Sequence, residues 1–245
     1  MKRRNLLVGL GAGLVAGCSK IGQSEPMQTL FGWAENWHRG AHRAMAGRQA
    51  LAPEFQPADI SPFFRGNGTT DPDDPAYAAA AAEGFANWTL AVRGLVDREM
   101  DFTLERLKAL PQRTQITRHD CVEGWSAIGQ WTGPQLSTIL KAAGLQEGAR
   151  FIVFHCADDF RGIPYYESCD LDDAFHPQTL IAHQLNGAPL PVRNGAPLRL
   201  RIERQLGYKH AKYLTAIEAV ASLHGVEGGK GGYWEDRGYH WYAGA

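Results

Sequence analysis

The chain has no excess charge of either sign, few cysteines and no long apolar run. Its 245 residues include 25 basic and 26 acidic side chains and only four cysteines. This balance leaves no large basic field to favour nucleic acid, so we expect no nucleic-acid partner. The apolar stretch at residues 6–17 is too short and too rich in glycine to span a bilayer comfortably. The 44% of hydrophobic residues suffices to bury one sizeable core or two small ones.

Residues 1–17 have the character of an export signal. Lys2, Arg3 and Arg4 precede the apolar stretch, and the arginine pair followed by Asn-Leu-Leu resembles a twin-arginine leader. The sequence Leu-Val-Ala-Gly-Cys that ends at Cys18 resembles the lipobox of bacterial lipoproteins, which implies a lipid on Cys18. The alternative is an ordinary cleavage site with Cys18 nearby by chance. We therefore expect a periplasmic protein that is anchored to a membrane through Cys18.

Turn signals and apolar periodicity predict an α+β chain with mixed β-sheets and short helices. Residues 18–75 are irregular, with one helix over about residues 33–45, and form an N-terminal arm. Residues 76–245 form one domain in which short helices and strands alternate. The predicted helices cover residues 76–82, 104–109 and 134–143, and the predicted strands cover residues 88–92, 115–117, 151–154, 180–185, 190–192 and 198–202.

Cys121 follows the predicted strand at residues 115–117 and has Arg118 and His119 close to it in the sequence. Reactive groups are often mounted where strands enter loops, and a nearby arginine would favour the thiolate. Three interpretations remain open. Cys121 is an inert buried thiol, a nucleophile paired with His119 or His155, or a metal ligand. Zinc is disfavoured because no second cysteine or histidine stands at finger spacing, so the other metal ligands would come from elsewhere.

An ordered set of motifs then indicates a family. The residues from Arg118 to Trp125 read Arg-x-x-Cys-Val-Glu-Gly-Trp, and Trp-x-Gly-x-x-Leu follows from Trp131. These motifs and those after them resemble the sulfite oxidase superfamily of molybdopterin-binding oxidoreductases. The resemblance is greatest to its haem-free bacterial branch, which includes the catalytic subunit of periplasmic methionine sulfoxide reductase. It covers nearly everything from Trp88 to Trp241 and implies the sulfite oxidase-type fold.

The resemblance implies a molybdenum–molybdopterin cofactor, with Cys121 as a ligand of the metal. Molybdopterin ends in a phosphate, so its pocket needs guanidinium groups, lysines and freed backbone N–H groups. The N-terminal arm is expected to bring Asn67 to this pocket, although Thr69 and Thr70 replace the aromatic and acidic residues expected after it. Cys156 aligns with a cofactor contact but could equally be a buried strand thiol. The remaining cofactor contacts implied by the resemblance are Asn194, Arg199, His210, Ala211 and Lys212.

The resemblance also implies the reaction, a two-electron oxygen-atom transfer on a small oxyanion or an S- or N-oxide. Glu123 would exchange protons and Arg118 would attract the substrate oxygen. The competing interpretation is structural, a salt bridge for Glu123 and a pair with Asp120 for Arg118. Reduction of protein methionine sulfoxide is the alternative reaction, disfavoured by the changed segment at Thr69 and Thr70. A pterin-binding lipoprotein without turnover is an alternative of another class.

The partners follow from the same resemblance. Electrons would come from or go to an external protein, either a membrane haem protein or a soluble cytochrome c. The chain has no room for a haem or dimerisation domain after its motifs, so we expect a monomer. Twin-arginine export moves folded proteins, which agrees with a cofactor that is inserted before export.

Overall fold

A computed structural model describes residues 24–47 and 49–244 of the chain. The chain divides into two compact units between Arg48 and Gln49. The leader and Cys18 lie outside the described residues, so export and lipidation stay predictions. Within residues 24–47 and 49–244, no helix is both long and apolar enough to cross a membrane.

The first unit contains one long helix, α1, which spans Glu25–Ala46. Pro26 stands in its first turn, where its missing N–H would have no intrahelical partner in any case, and Gly47 follows its end with a φ of 81°. The helix begins well before residue 33, where apolar periodicity predicts its start. The overlooked signal is the serine and proline at the N-terminus, which mark a helix start independently of any apolar stripe.

The second unit contains short helices and strands in alternation. Its helices are α2 (Pro75–Ala82), α3 (Leu104–Ala109), α4 (Leu136–Ala143) and α5 (Leu171–Ala174). Its strands are β1 (Thr89–Gly94), β2 (Met100–Thr103), β3 (Gln112–Cys121), β4 (Trp125–Pro134), β5 (Phe151–Phe160), β6 (Ile163–Asp170), β7 (Leu180–Ala182), β8 (Gln184–Leu185), β9 (Ala188–Pro189), β10 (Arg199–Arg201) and β11 (Leu214–Val220).

These strands form three sheets. The largest has the order β2-β1-β11-β5-β6, in which β1 and β11 are parallel and the other pairs antiparallel. A second sheet has the order β3-β4-β8-β9, and β7 pairs with β10 in a third. The main apolar core packs α3 and α4 against the largest sheet, with Leu107, Ile139 and Phe154 fully buried. The predicted class, mixed sheets with short helices, is confirmed.

Local signals located α2 and α3 well, whereas α4 begins two residues after its predicted start and α5 was not predicted. The Asp74 carboxylate accepts hydrogen bonds from the N–H groups of Ala76 and Tyr77 at the start of α2. The Thr103 hydroxyl accepts one from the N–H of Arg106 in α3. Side-chain capping of this kind needs only neighbouring residues, so the sequence reveals it.

Strand predictions succeeded less well. The strand predicted at residues 115–117 runs on to Cys121, and the strand predicted at residues 180–185 divides into β7 and β8, because these two pair in different sheets. The prediction of a strand at residues 190–192 was wrong: a 3₁₀-helix begins at Val192. Strands β2, β4, β6 and β11 were missed, since pairing in the tertiary fold decides them more than propensity does.

Three features of this fold bring chain segments to one place. The β3–β4 hairpin turns at Gly124, whose φ of 86° suits glycine. Strand β5 has a register shift between His155 and Asp159 in its pairing with β6. Such a bulge bends the strand and re-aims its side chains. The segment between β10 and β11 crosses the same region, with a 3₁₀-helix over Gly207–Lys209.

Candidate active site

Cys121 ends β3 at the hairpin, on one side of a cavity. The N–H of Gly124 donates to its carbonyl oxygen at 3.0 Å, which closes the turn. Trp125 Nε1 donates to Glu123 Oε2 at 3.0 Å and holds that carboxylate next to the cysteine. Burial raises the pKa of the Cys121 thiol, whereas the N–H of Glu123 and the charge of Arg199 act to lower it. The hairpin therefore presents a thiol and a carboxylate together.

The cavity beside this hairpin encloses about 650 Å³ of empty space when the solvent in its open mouth is counted. Segments distant in the sequence meet around it. It is lined by Asn67, Gly68, Thr69, Cys121, Val122, Glu123, Asp158, Phe160, Tyr165, Gly207, Tyr208, His210, Lys212, Trp234 and Tyr239.

Buried cations lie behind the inner side of the cavity. Arg199 is fully buried and donates to Asn194 O at 3.2 Å and to Asn67 Oδ1 at 3.4 Å. No carboxylate pairs with it among the described residues, and burial, followed by the charge of Arg201, lowers its pKa to about 9. Arg201 differs, because its guanidinium binds Glu203 at 2.6 Å in a fully buried ion pair.

Lys212 adds a second cation at the cavity itself. Its Nζ donates to Asn67 O at 2.6 Å and to the carbonyl oxygen of Thr69. Burial, followed by the charge of Arg199, lowers its pKa to about 7. Two depressed cationic pKa values in one place indicate a surplus of buried positive charge. An anion bound there would relieve it.

Two buried histidines stand next to these cations. His119 and His210 have ring centroids 5.0 Å apart, and burial together with neighbouring cations holds the pKa of each well below its ordinary value. Nε2 of His210 donates to Gln205 O at 3.0 Å, and Nδ1 of His119 accepts from Arg201 Nη1 at 3.0 Å. The remaining ring nitrogens, and Arg199 Nε, have no hydrogen-bond partner within the described part of the chain. Unpaired buried polar atoms are costly and indicate a missing polar ligand.

These observations match the donor set that molybdopterin needs. The buried cations suit its phosphate, the unpaired nitrogens suit a polar ring system, and Cys121 offers a soft sulfur ligand for molybdenum. Gly207 lets its loop pack closely against His119 at the edge of the cavity, because a Cβ there would lie 2.6 Å from His119 Nε2. The residues present therefore fit the cofactor.

The structure brings most of the predicted site residues together. Cys121, Glu123, Asn67, His210 and Lys212 line one cavity. Arg199 contacts it through Asn67, and Asn194 lies in the same layer, with its Nδ2 donating to Arg65 O at 3.3 Å. The segment at residues 67–69 thus belongs to the cavity wall. Whether each residue binds the cofactor stays a prediction.

Three predicted residues do not reach the cavity. Ala211 is fully buried, and its carbonyl accepts from the N–H of Leu200 within the fold. Cys156 lies on β5 outside the cavity lining, and burial raises its pKa well above the ordinary value. Arg118 is 57% exposed and forms a salt bridge with Asp120 at 2.9 Å, the structural pairing considered above. Cys121 is three residues farther along β3, so the two side chains lie on opposite faces of the strand. Arg199, not Arg118, is the arginine that acts on the thiol.

Asp158 is a site residue that sequence reasoning missed. It lies at the β5 bulge, is only 4% exposed and lines the cavity, with Oδ1 lacking a partner among the described residues. Burial raises its pKa to about 6, against the hydrogen bond from Thr69 and the charge of Lys212. A carboxyl with this pKa can exchange protons near neutral pH. The strand was predicted to end at residue 154, so nothing placed Asp158 inside.

Aromatic side chains were missed as well. Phe160 follows the same bulge, and Trp234 and Tyr239 come from the C-terminal segment. The ring centroids of Phe160 and Trp234 are 5.8 Å apart, and those of Trp234 and Tyr239 are 5.2 Å apart. No spacing rule in the sequence connects residues so far apart.

Comparison with known protein families gives a consistent result. Residues 77–224 match the family described as the oxidoreductase molybdopterin binding domain. A solved structure, the sulfane dehydrogenase SoxCD from Paracoccus pantotrophus, superposes with a TM-score of 0.51 at 20% identity, over 56% of this chain and 39% of that chain. At this identity the likeness shows the fold alone.

Curated relatives are more similar in sequence. A protein of Azospira oryzae, provisionally named as a subunit of protein-methionine-sulfoxide reductase, is 36% identical over 99% of this chain and 86% of its own length. The protein-methionine-sulfoxide reductase catalytic subunit of Xanthomonas axonopodis pv. citri is 32% identical over 85% of this chain and 66% of its own length. The catalytic subunit of that name in Ralstonia nicotianae is 35% identical over 62% of this chain and 49% of its own length.

Proposed function

Since the chain belongs to the oxidoreductase molybdopterin-binding family and is an enzyme of that kind, we propose that it reduces methionine sulfoxide in proteins. The overall reaction converts the sulfoxide, two electrons and two protons into the thioether and water. The observation that carries the proposal is the 36% identity, over nearly the whole chain, to a relative named as a subunit of such a reductase. The unreactive pterin-binding lipoprotein is set aside, because the family and its relatives are oxidoreductases.

The relatives favour this reaction over the broader one preferred from the sequence, oxygen-atom transfer on a small oxyanion or an S- or N-oxide. Thr69 and Thr70 were the reason for doubt. The backbone of this segment nevertheless forms part of the cavity wall, because the carbonyl oxygens of Asn67 and Thr69 accept hydrogen bonds from Lys212 Nζ. The change of side chains therefore leaves this contact in place.

Bound molybdenum–molybdopterin would supply the two-electron oxygen-atom chemistry. In the chain, Arg199, through its contact with Asn67, and Lys212 would hold the phosphate, His210 would meet a polar ring atom, and Cys121 would bind the metal. These roles fit the depressed cationic pKa values and the unpaired nitrogens described above.

The protein's own acid–base groups would provide the protons. Glu123 is fixed beside Cys121 by the hydrogen bond from Trp125 and would relay protons to the bound substrate. Asp158, with a pKa of about 6, can release a proton and recover it from solvent at neutral pH. The Arg118 role as an oxygen-binding residue is not proposed, because its side chain lies away from the cavity.

Turnover with a reduced viologen dye tests the proposal. N-acetylmethionine sulfoxide and an oxidised protein are compared with chlorate and trimethylamine N-oxide, using protein loaded with molybdenum. We expect the sulfoxides to be reduced with the highest kcat/KM and the Cys121→Ser variant to be inactive. Preferential reduction of chlorate or the N-oxide would instead restore the broader reaction.

We propose, further, export through the twin-arginine leader, lipidation at Cys18 and a separate electron-transfer partner. The leader and Cys18 lie outside the described residues, and support comes from the sequence of residues 1–18 and from relatives named as catalytic subunits. Labelled palmitate incorporated by the wild type and not by Cys18→Ala would support the anchor. Equal labelling of both would contradict it.

Light scattering tests the expected monomer.

A further inference from the structure

The mouth of the cavity carries three aromatic side chains, Phe160, Trp234 and Tyr239, which we call the aromatic wall. Phe160 and Trp234 meet edge to face, and Trp234 and Tyr239 are inclined at 31°. Tyr239 is 41% exposed, and Val122, on the Cys121 hairpin, is 46% exposed. The aromatic wall therefore lies on the side of the cavity that is open to solvent.

The aromatic wall is held in place by buried polar contacts. Glu235, next to Trp234, forms an ion pair with Lys209, and Lys209 also binds Glu167 at 2.6 Å. The N–H of Tyr239 donates to Trp234 O at 3.0 Å. The Tyr208 hydroxyl donates to His240 O at 2.7 Å. These contacts fix the backbone of the segment, and the Tyr239 ring also packs against Tyr208 and Trp234. Groups held in this way give up little conformational entropy when a ligand binds, which favours a role in recognition.

Two members of the aromatic wall lie beyond the domain shared with the family. The family match ends at residue 224, whereas Trp234 and Tyr239 follow it. The cations and Cys121, by contrast, lie within residues 77–224. Residues 77–224 thus supply the cations and Cys121, and the C-terminal segment after residue 224 adds Trp234 and Tyr239 at the mouth.

We propose that Trp234 and Tyr239 are specificity-determining residues, which select the alkyl sulfoxide of a methionine side chain over compact oxyanions. This proposal rests on the proposed function, and it identifies the side chains that recognise the substrate. A sulfoxide sulfur carries partial positive charge and bears a methyl group and a methylene. Aromatic faces are negative and apolar, so they attract both. A compact oxyanion has no apolar or positive part to place against them.

The position of the buried cations separates substrate from cofactor. Arg199 is fully buried and Lys212 is 6% exposed, whereas exposure is greatest at Val122 and Tyr239. An anionic cofactor is drawn to the inner cations. The aromatic wall then remains on the side from which a protein-bound methionine sulfoxide enters.

Binding and turnover of N-acetylmethionine sulfoxide by the molybdenum-loaded enzyme test this inference. For Trp234→Ala and Tyr239→Ala we expect Kd and KM to rise about three- to tenfold each, the range of sulfur–aromatic contacts, with a much smaller change in kcat. The conservative variants Trp234→Phe and Tyr239→Phe should stay near the wild type. Phe175→Ala, which removes an exposed aromatic elsewhere on the chain, serves as the matched control.

The outcomes separate the two proposals. Wild-type binding without turnover would reject the proposed function alone, and the Kd of the variants would still test the aromatic wall. If both alanine variants turn over with unchanged Kd and KM, the aromatic wall does not recognise the substrate. The same conclusion follows if the variants lose molybdenum but keep their affinity for the substrate. Tyr239 is largely exposed, so its variant should fold even where Trp234→Ala does not. Absence of wild-type binding would overturn both proposals.

Discussion

Arg199→Met should stabilise the cofactor-free protein while weakening its hold on the cofactor. The guanidinium is fully buried without a carboxylate among the described residues, and its pKa falls from 12.5 to about 9. That fall corresponds to roughly 5 kcal/mol against the charged form. The two hydrogen bonds of Arg199, to Asn194 and Asn67, return about 1 kcal/mol each, and its cation–π contact with the Trp131 ring returns about 1 kcal/mol more. Removing the charge while keeping apolar volume should therefore raise the free energy of unfolding by about 2 kcal/mol.

Arg201→Met is the matched control on the same strand. Arg201 is equally buried but binds Glu203 through two hydrogen bonds of 2.9 and 2.6 Å. Its removal would leave an uncompensated buried carboxylate, which typically costs about 3–5 kcal/mol. The two methionine variants should thus shift stability in opposite directions.

Thermal unfolding of protein made without molybdopterin measures this difference. For a chain of this length, about 2 kcal/mol corresponds to a Tm about 4–8 °C higher for Arg199→Met, and Arg201→Met should melt below the wild type. In protein loaded with molybdopterin, Arg199→Met should retain less cofactor after gel filtration. If Arg199→Met lowers Tm as Arg201→Met does, Arg199 is structural, and the surplus of buried charge is not the basis of an anion site.

Three further outcomes are expected. Cys121→Ser should lose bound molybdenum, measured by mass spectrometry of the metal. Its free energy of unfolding without cofactor should change by less than about 1 kcal/mol, because the side chain is only half-buried. Equal metal content in the variant and the wild type would reject the ligand role. Lys212 has a pKa of about 7, below its usual 10.5, so binding of sulfate, which stays dianionic over this pH range, should raise that pKa and take up about one proton at pH 8. At pH 5.5, where the amine is already charged, Lys212 should take up almost none. Calorimetry in two buffers measures the uptake, and none at pH 8 would contradict the expected anion site. Gly207→Ala places a Cβ 2.6 Å from His119 Nε2 and should lower the free energy of unfolding, measured in urea, by about 1–3 kcal/mol. The control Gly225→Ala, whose Cβ would have no atom within 4 Å, should lower it little. Equal losses in the two variants would refute the close approach of Gly207 to His119.

Some features of the site can be predicted from the sequence because they depend on short segments. The residues around Cys121 form a hairpin turn whose backbone is set locally, and they carry the thiol and Glu123 together wherever the hairpin packs. The order of the motifs identified the family and, through it, led to the prediction of the cofactor. Asn67 reaches the same cavity across a large sequence separation, and only the family's pattern indicated it.

What the sequence by itself determined is the chemistry available: a thiol and a carboxylate in one hairpin, basic residues that suit an anionic cofactor, capped helices and an enzyme family. Tertiary structure alone decided which charges meet. A strand sends successive side chains to opposite faces, so register placed Arg118 outside and brought Arg199 from β10 towards the thiol. The β5 bulge turned Asp158 and Phe160 inward, and the C-terminal segment closed the mouth with Trp234 and Tyr239. Those positions depend on long-range pairing and packing, which no local pattern encodes.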